Sequence, residues 1–402
     1  MSSLRSVDRR AWHALFAAQT GWMLDAMDFL LFSFAVIPIR EEFGLTNSAM
    51  GALTSVALIA SAIGGMVFGR LADKLGRVRA LTLSILLYSV ATAGLATSGA
   101  LWQLVAWRIL VGLGMGGEWS AGSVLVAETW PAEHRGKAMG FMQSGWAIGA
   151  LIAAAVSAFT IERFGWRVLF LIGALPAIAA FFIRRNVEEP QVWRERPREE
   201  SRWNEMFAKP FLRRTVIATL LASSVLMAFW GVTSWLPTFL ATPLAKGGAG
   251  LTVATSASWL IALQAGAFFG YISFGWIADR MGRRPAFTLF MIAATILVPL
   301  FAFYARTPTM LLILGPLLGF FAHGYFSLFG AMLAELYPTR IRAGAQGFCY
   351  NGGRFASAAA TFAIGKASLT HSFATVITCA ALFFAIGAVL VWFLPETKGA
   401  EL

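Results

Sequence analysis

Residues 69–79 read GRLADKLGRVR, and residues 275–285 read GWIADRMGRRP, an offset of 206 positions. A second pair follows at an offset of 207, because residues 127–135 read AETWPAEHR and residues 334–342 read AELYPTRIR. The second register continues through Gly-Phe pairs at 140–141 and 347–348. Several matched features at nearly one offset predict that the two halves of the chain are repeats of one structural unit.

Long apolar runs surround these repeated loops. The chain has 402 residues, of which 58% are hydrophobic and only 13% are charged, and its mean hydropathy is +0.69. A soluble protein would carry about 25% charged residues, so the composition indicates a polytopic membrane protein. Cys349 and Cys379 both lie in apolar segments, which excludes a disulfide framework and a cysteine metal site. The first apolar run is too long for a signal peptide, so we interpret it as a spanning helix.

Twelve apolar segments are long enough to cross a bilayer. They lie near 12–37, 48–69, 79–98, 101–125, 137–160, 166–184, 214–240, 253–277, 286–305, 308–333, 343–365 and 372–394. The sequence therefore predicts an all-α membrane protein with twelve transmembrane helices.

The basic residues alternate between loops. On the side of the N-terminus the loops hold 24 of the 32 Lys and Arg, the opposite loops hold six, and Arg108 and Arg354 fall inside segments. Basic residues in short loops favour the cytoplasmic side, so the net charge of +12 reports topology rather than nucleic-acid binding. We predict a multi-pass protein of a bacterial-type inner membrane with both termini in the cytoplasm.

One long polar stretch divides the chain. We predict an N-terminal six-helix bundle at 1–184, a cytoplasmic linker at 185–213 that is solvated and partly helical, and a C-terminal six-helix bundle at 214–402. Duplication of a six-helix unit is the architecture of many secondary transporters, whose substrate site lies at mid-membrane between the halves.

The repeated loop after the second and eighth spans resembles the signature loop of the major facilitator superfamily, and the resemblance covers the whole chain. Within that superfamily, LDAMDF, RILVGLGMGGEWSAG, AETWPAEHRGKAMGF and RRNVEEPQVW resemble the metabolite:H+ symporters. The sialate and short-chain monocarboxylate carriers are nearest, aromatic-acid carriers are further off, and the tail LPETKG is similar to the end of sugar porters. The resemblance implies two pseudo-symmetric six-helix bundles that work by alternating access.

The repeated loops also carry candidate gating charges. The resemblance implies that Asp73 and Asp279 cap or pair with neighbouring helix ends and basic side chains and so hold one gate state. In the second loop pair we expect Glu128 to pair with Arg135 and Glu335 with Arg342. Two roles are compatible with these charges: a gate that moves during transport, or a static network that stabilises the fold. The gating candidates are Asp73, Arg77, Asp279, Arg283, Glu128, Arg135, Glu335 and Arg342.

Charges inside the spans that lack a twin in the other half are the candidates for cargo chemistry. Asp25 and Asp28 share one helical face, and an acid at mid-bilayer costs about 2.5–3.5 kcal/mol, so the pair is expected to face water, a proton or a cation. At the 207 offset neither acid has a charged counterpart, and neither do Arg108 and Arg354. Depth along the spans predicts that Asp28 meets Arg108 and that Arg354 faces Asp25 across the cavity.

We predict that Arg354 holds a substrate carboxylate, because its planar fork binds both oxygens and never loses its charge. Asp25 and Asp28 would accept the protons, with Arg108 tuning them. Static buried ion pairs are the alternative. Glu118 in GMGGEW is either a second proton site, which the resemblance to the sialate carriers supports, or the partner of a neighbouring helix.

Polar side chains in other spans are candidates to line the cavity. His323 titrates near neutral pH when unperturbed, but a satisfied hydrogen bond between helices is equally expected for it. Trp230 and Trp235 could stack on a substrate or belong to the lipid-facing belt. The candidate cavity residues are Gln143, Gln264, His323, Tyr325, Tyr350 and Asn351.

The sequence thus predicts proton-driven uptake of a small organic acid, such as a monocarboxylate or a sialate. The alternative is a carrier for sugars or other polar metabolites, proton-coupled or facilitative. We expect a monomer whose partners are the organic anion and the bilayer, with the proton as coupling ion and no other cofactor or metal. No nucleophile–base cluster, His-rich metal set or nucleotide loop supports an enzyme.

Overall fold

The computed structural model describes Leu4 and residues 7–196, 202–233, 235–244, 248–250, 253–305, 307–368 and 370–402. These residues form α-helices, with short 3-10 helices at Trp203–Phe207 and Val391–Phe393, and no strand. The helices are α1 Arg9–Glu42, α2 Asn47–Leu75, α3 Arg77–Leu95, α4 Leu101–Thr129, α5 Arg135–Ile172, α6 Pro176–Asn186, α7 Gln191–Arg194, α8 Lys209–Thr233, α9 Leu236–Ala241, α10 Val253–Met281, α11 Arg283–Tyr304, α12 Pro308–Gly324, α13 Phe326–Glu335, α14 Arg342–Ala367 and α15 Phe373–Leu390. The predicted all-α class is confirmed.

Ten stretches of the described residues are long and apolar enough to cross a membrane. One of them, Arg135–Ile183, covers the fifth and sixth predicted spans, which bend at Gly165, where φ is 77°. Helix α14 is absent from the ten although it has 26 residues, because it carries several polar and basic side chains. The twelve predicted segments therefore each correspond to helical chain.

Glycine permits the tight turn in both signature loops. Gly76 separates α2 from α3 with φ 113°, and Gly282 separates α10 from α11 with φ 102°. An L-residue with a side chain rarely adopts such a φ, so the repeated Gly-Arg of the sequence marks the point where the chain reverses.

The helices pack in two groups of matching design. In the N-terminal group α1 packs on α4 and α5, α2 on α4, and α3 on α4 and α6. In the C-terminal group α8 packs on α14 and α15, α10 on α12, and α11 on α12 and α15. The groups meet most extensively where α2 crosses α14 and where α5 crosses α10, and these two crossings are equivalent under the repeat. Smaller contacts join α4 to α13 and α14, and α5 to α13. The predicted fold of two pseudo-symmetric bundles is confirmed.

Both signature loops lie on the same face as the two ends of the described chain, and we call it the signature-loop face. Arg10 lies 3.5 Å from Glu188, and Arg135 donates to the carbonyl of Ala400 at 2.8 Å. Four basic residues that entered the topology prediction, Arg5, Arg198, Lys246 and Arg306, lie outside the described residues. Which side of the membrane this face occupies stays a prediction.

Candidate functional site

An aromatic pocket lies where the two bundles meet. It holds about 340 Å³ of atom-free space, with its opening to solvent included. Seven of its nine lining residues are aromatic, and the only charge among the nine is a guanidinium. The lining residues are Trp22, Gln143, Trp146, Phe229, Trp230, Tyr271, Phe326, Tyr350 and Arg354. Both halves contribute, as the duplication predicts.

Arg354 supplies the charge of this pocket. Its guanidinium lies over the ring of Tyr350, 5.4 Å from the centroid, and donates to the hydroxyl of Ser61 across the junction of α14 and α2. Asp25 of α1 is within electrostatic reach of it. Arg354 is half-buried, so it keeps donor capacity for an incoming anion.

Stacked rings form the walls and hold each other in place. Trp119 stacks on Tyr350 with centroids 3.9 Å apart and planes at 23°, and its indole N–H donates to Gln143 at 3.1 Å. On the other side, Trp146 lies 5.1 Å from Trp22. Such contacts fix ring orientation and leave flat apolar faces around the arginine.

Three acids are buried behind the pocket, and we call Asp25, Asp28 and Glu118 the acid cluster. Asp25 and Asp28 are each 2% exposed, and Glu118 is fully buried. Asp28 accepts a hydrogen bond from Thr92 at 3.1 Å, and Asp25 is within electrostatic reach of both other acids. Within the described residues, one oxygen of each aspartate and both oxygens of Glu118 lack a hydrogen-bond partner. None of the three lines the pocket.

Glu118 sits against α1 rather than in an ion pair. A Cβ built on Gly21 would lie 2.5 Å from its Oε1, so a side chain at this position would displace the carboxyl group of Glu118. Because its carboxyl has no partner in the described part of the chain, the expectation that it pairs with a neighbouring helix is not met.

Arg108 does not meet Asp28 as predicted, and that prediction is wrong. Its guanidinium lies 3.8 Å from the ring centroid of Phe32, one helical turn beyond Asp28 on α1. Among the described residues it makes no ion pair, and its Nε has no partner. Position along the spans places the two groups at similar depths in the membrane. It does not determine in which direction the arginine side chain points from its helix.

Four predicted cavity residues lie outside the pocket lining. His323 packs edge-on against Phe229 at 4.9 Å, behind the wall, and Tyr325 packs against Phe326 at 4.6 Å. Asn351 donates to the carbonyl of Gly347 in its own helix at 2.7 Å. Gln264 lies on α10 away from the lining. Gln143, Tyr350 and Arg354 do line it, and so does Trp230, whereas Trp235 does not.

The signature acids join the two halves at the signature-loop face. Asp73 accepts the backbone N–H groups of Ala343 and Gly344 at 3.0 and 2.7 Å, in the first turn of α14. Asp279 accepts those of Gly136 and Lys137, both at 3.1 Å, in the first turn of α5. Each acid thus binds the positive end of a helix in the other half, and the halves are in contact across this face.

The glutamates of the second loop pair bridge the halves as well. Glu128 contacts Arg77 of its own half at 2.8 Å and Arg342 of the other half at 2.5 Å. The repeat-equivalent Glu335 contacts Arg283 at 3.2 Å and Arg135 at 2.8 Å.

The predicted pairings of Glu128 with Arg135 and of Glu335 with Arg342 are therefore wrong. The Nε–H of Arg135 donates to the carbonyl of Ala127, and that of Arg342 to Ala334, which turns each guanidinium toward the opposite bundle. We call the two symmetric sets the gate clusters, and they comprise Asp73, Arg77, Glu128 and Arg342 in one and Asp279, Arg283, Glu335 and Arg135 in the other.

One further repeat pair is absent from the sequence predictions. Glu189 accepts the N–H groups of Arg77 and Val78 at 2.6 and 3.1 Å, at the start of α3. Glu396 accepts those of Arg283 and Arg284 at 2.8 and 3.0 Å, at the start of α11. The two glutamates are 207 positions apart, so the same offset would have found them.

Glu396 shows the electrostatic effect of this capping. Burial by itself would raise the pKa of its carboxyl, but backbone N–H groups of Arg283, Arg284, Lys398 and Thr397 donate to it and lower the pKa below the ordinary value of 4.5. The carboxylate form is therefore the one that caps α11.

The fold and the pocket define a membrane carrier of two bundles with an aromatic pocket between them. The chain belongs to the Major Facilitator Superfamily, whose sequence pattern matches residues 20–257 and 243–401. The suspected membership is thus confirmed.

Three comparisons illustrate the range of its relatives. The chain is 33% identical to the sialic acid transporter NanX of Escherichia coli over 88% of its own length and 87% of NanX. It is 30% identical to the niacin transporter NiaP of Acinetobacter baylyi over 96% and 94%. The fold is shared with the proton:xylose symporter XylE, at a TM-score of 0.81, 20% identity and coverage of 98% and 97%. The chain is a transporter of metabolites and not an enzyme.

Proposed function

We propose that this carrier takes up a planar organic carboxylate together with protons. The observation that carries the proposal is Arg354, the one charged residue among those that line an aromatic pocket at the junction of the halves. A guanidinium fork binds both oxygens of a carboxylate, and the flat rings around it offer stacking faces to an unsaturated or aromatic ring.

The lining favours a planar acid over a polyhydroxylated cargo. Beside Arg354, the polar groups of the lining are the amide of Gln143, the hydroxyls of Tyr271 and Tyr350, and the indole N–H groups of the three tryptophans, which donate but cannot accept a hydrogen bond. A sugar or a sialate needs many hydrogen-bond partners, because each buried hydroxyl without one costs free energy. The chemistry of niacin, carried by the relative NiaP, therefore fits better than that of sialic acid or xylose.

The acid cluster supports proton coupling. Asp25 is within electrostatic reach of Arg354, and one of its oxygens has no hydrogen-bond partner in the described part of the chain. A carboxylate bound to Arg354 offsets the positive charge that favours ionised Asp25. Substrate binding then promotes protonation of the acid, so that anion and proton travel together. Asp28 and Glu118 are buried near Asp25 and serve as further proton acceptors.

The distribution of basic residues supports the orientation. With the signature-loop face on the cytoplasmic side of an inner membrane, the contacts of both gate clusters close the cytoplasmic end and the pocket is approached from outside. Both walls of the pocket come from one chain, which fits a monomer as the working unit.

The test is uptake into proteoliposomes that contain the purified full chain. With a pH gradient imposed, nicotinate or benzoate should accumulate, and sialic acid and xylose should not. Arg354→Gln should lower uptake about 100-fold, since it removes charge-assisted hydrogen bonds, and Arg354→Lys should restore part of it.

The matched control is Arg163→Gln. Arg163 is an exposed arginine that lies 4.4 Å from the ring of Phe159, and its loss should leave uptake unchanged. Xylose uptake that is insensitive to Arg354→Gln would instead establish the sugar carrier. Sialate uptake with nicotinate excluded would reject the planar class while retaining the carboxylate.

A further inference from the structure

A basic pocket on the signature-loop face lies apart from the gate clusters and from the aromatic pocket. It holds about 960 Å³ of atom-free space, with its opening to solvent included, where α8 and α11 begin and α15 ends. Four basic residues and two aromatic ones dominate its lining. They are Lys209, Arg213, Arg214, Arg284, Trp392 and Phe393.

The described residues do not neutralise the positive charge of this pocket. Within the described residues, none of the four basic side chains forms an ion pair. Arg214 and Arg284 donate to the carbonyls of Leu336 and Leu394, which fixes them at the pocket wall. Lys209 and Arg213 are exposed, and their side chains donate to none of the described residues. The nearby Glu396 is occupied by backbone N–H groups.

An apolar groove continues directly from the basic pocket. It encloses about 880 Å³ between α11 and α15 and shares Trp392 and Phe393 with the basic pocket. On α11 it extends from Thr288 to Ile296, about 12 Å at 1.5 Å per residue. Its surface is almost entirely apolar, and the side chains along it face the lipid side of the bundle.

The indole of Trp392 marks the boundary between the two environments. Its N–H donates to Thr288 at 3.0 Å, and the ring lies 6.0 Å from the guanidinium of Arg284. Tryptophan concentrates at the level of lipid headgroups, so the basic pocket lies at headgroup depth and the groove at acyl-chain depth.

We propose that this composite surface is a binding site for an anionic phospholipid. The phosphate of the headgroup binds Lys209 and Arg213, and one acyl chain lies in the groove past Trp392. Basic pockets between transmembrane helices suit anionic headgroups, and the attached apolar groove selects a lipid over a free anion. The bound lipid would bridge the start of α8 to the end of α15.

The experiment measures lipid retention on the purified full chain by native mass spectrometry, with thermal stability in parallel. Phosphatidylglycerol, phosphatidylcholine with the same acyl chains, and inorganic phosphate are the three probes. We expect the wild type to retain phosphatidylglycerol about tenfold better than phosphatidylcholine. The double variant Lys209→Gln/Arg213→Gln should weaken phosphatidylglycerol binding about 10- to 30-fold, at roughly one factor of five per charge.

Two further variants make the result specific. Lys74→Gln/Arg79→Gln removes two exposed charges from the same face outside the pocket, and it should leave lipid retention unchanged. Ala385→Phe fills the groove between α11 and α15 and should weaken the binding of both lipids. Counterflow activity confirms that each variant is folded.

Several outcomes would overturn the site. Equal losses in the two double variants would show diffuse surface charge. Equal retention of both lipids by the wild type would remove the role of the headgroup charge. Stabilisation by inorganic phosphate that depends on Lys209 and Arg213, with no effect of Ala385→Phe on lipid, would make this a free-anion site. None of these results bears on the cargo of the aromatic pocket.

Discussion

The gate clusters and the acid cluster differ in whether their buried carboxyl groups have partners. In the gate clusters every carboxylate contacts an arginine or backbone N–H groups, and every residue has an equivalent in the other half. In the acid cluster, oxygens of Asp25, Asp28 and Glu118 lack partners within the described residues, and the equivalent positions are Val232, Trp235 and Tyr325.

This contrast separates the two jobs of a carrier. Charges that are satisfied by symmetric partners hold the halves together and suit a gate that both bundles share. Charges left without a partner at membrane depth are costly to keep ionised, which suits groups that gain and lose a proton. We therefore propose that the symmetric charges serve the gate and that the charges without an equivalent serve the cargo.

The largest expected effect tests the gate clusters. Among the described residues, Glu128→Gln leaves Arg342 without a carboxylate and Glu335→Gln leaves Arg135 without one, at a cost of about 3–5 kcal/mol for a broken buried pair. Arg77 and Arg283 keep their contacts with Asp73 and Asp279. Because the two glutamates are repeat-equivalent, we expect the losses of thermal stability and of uptake to be similar. Denaturation curves and uptake assays on both variants measure this.

The same pair of variants distinguishes a moving gate from a static network. A moving gate predicts that uptake per folded molecule falls in both variants. If only thermal stability drops and each folded molecule transports at the wild-type rate, the network is static scaffold.

A smaller effect, on the accumulation of cargo driven by a pH gradient, tests the acid cluster. Each coupled proton supplies about 1.4 kcal/mol per unit of pH gradient. One unit of pH gradient should drive about tenfold accumulation of cargo in the wild type for each coupled proton. Asp25→Asn cannot exchange a proton, so accumulation should fall to the equilibrium level while counterflow of labelled cargo persists. Glu162→Gln, at an exposed acid, is the matched control. Gradient-driven accumulation by Asp25→Asn at the wild-type level would exclude Asp25 as the coupling group.

The smallest effect concerns the capping glutamates. The pKa of Glu396 is lowered in the folded protein, so its contribution to stability is complete above about pH 4.5 and is lost as the pH falls through the lowered value. Glu396→Gln should cost about 0.3–1 kcal/mol at neutral pH, toward the lower end because solvent partly screens the group. The difference from wild type should vanish in acid. Glu401→Gln, at an exposed acid of the same tail, should show no such dependence.

Much of this architecture could be predicted from the sequence. The 206–207 offset predicted the two equivalent bundles, and apolar length predicted the spans, because both follow from the chain alone. The same offset relates Glu189 to Glu396, but the two glutamates were not among the predicted residues. The pocket walls carried no specific signal, since 15 Trp and 34 Phe are spread over the whole chain.

Side-chain partners were harder to predict than positions. Spacing gives the face of a helix and its approximate depth, but not its rotation against neighbours, and so Arg108 was assigned to Asp28 instead of Phe32. The proximity of Glu128 to Arg135 along the chain suggested a local pair. The actual partner, Arg342, comes from the other bundle, and only the docking of the two halves reveals it.

The contact of Arg354 with Ser61 implies a link between the two bundles that a bound carboxylate would break. The guanidinium of Arg354 donates to the hydroxyl of Ser61, which belongs to the opposite bundle. An arriving carboxylate competes for the same donors, so loading would release the bundle that an unloaded carrier keeps fastened. Such competition would slow the conformational change of a carrier without cargo and so reduce the leak of protons across the membrane.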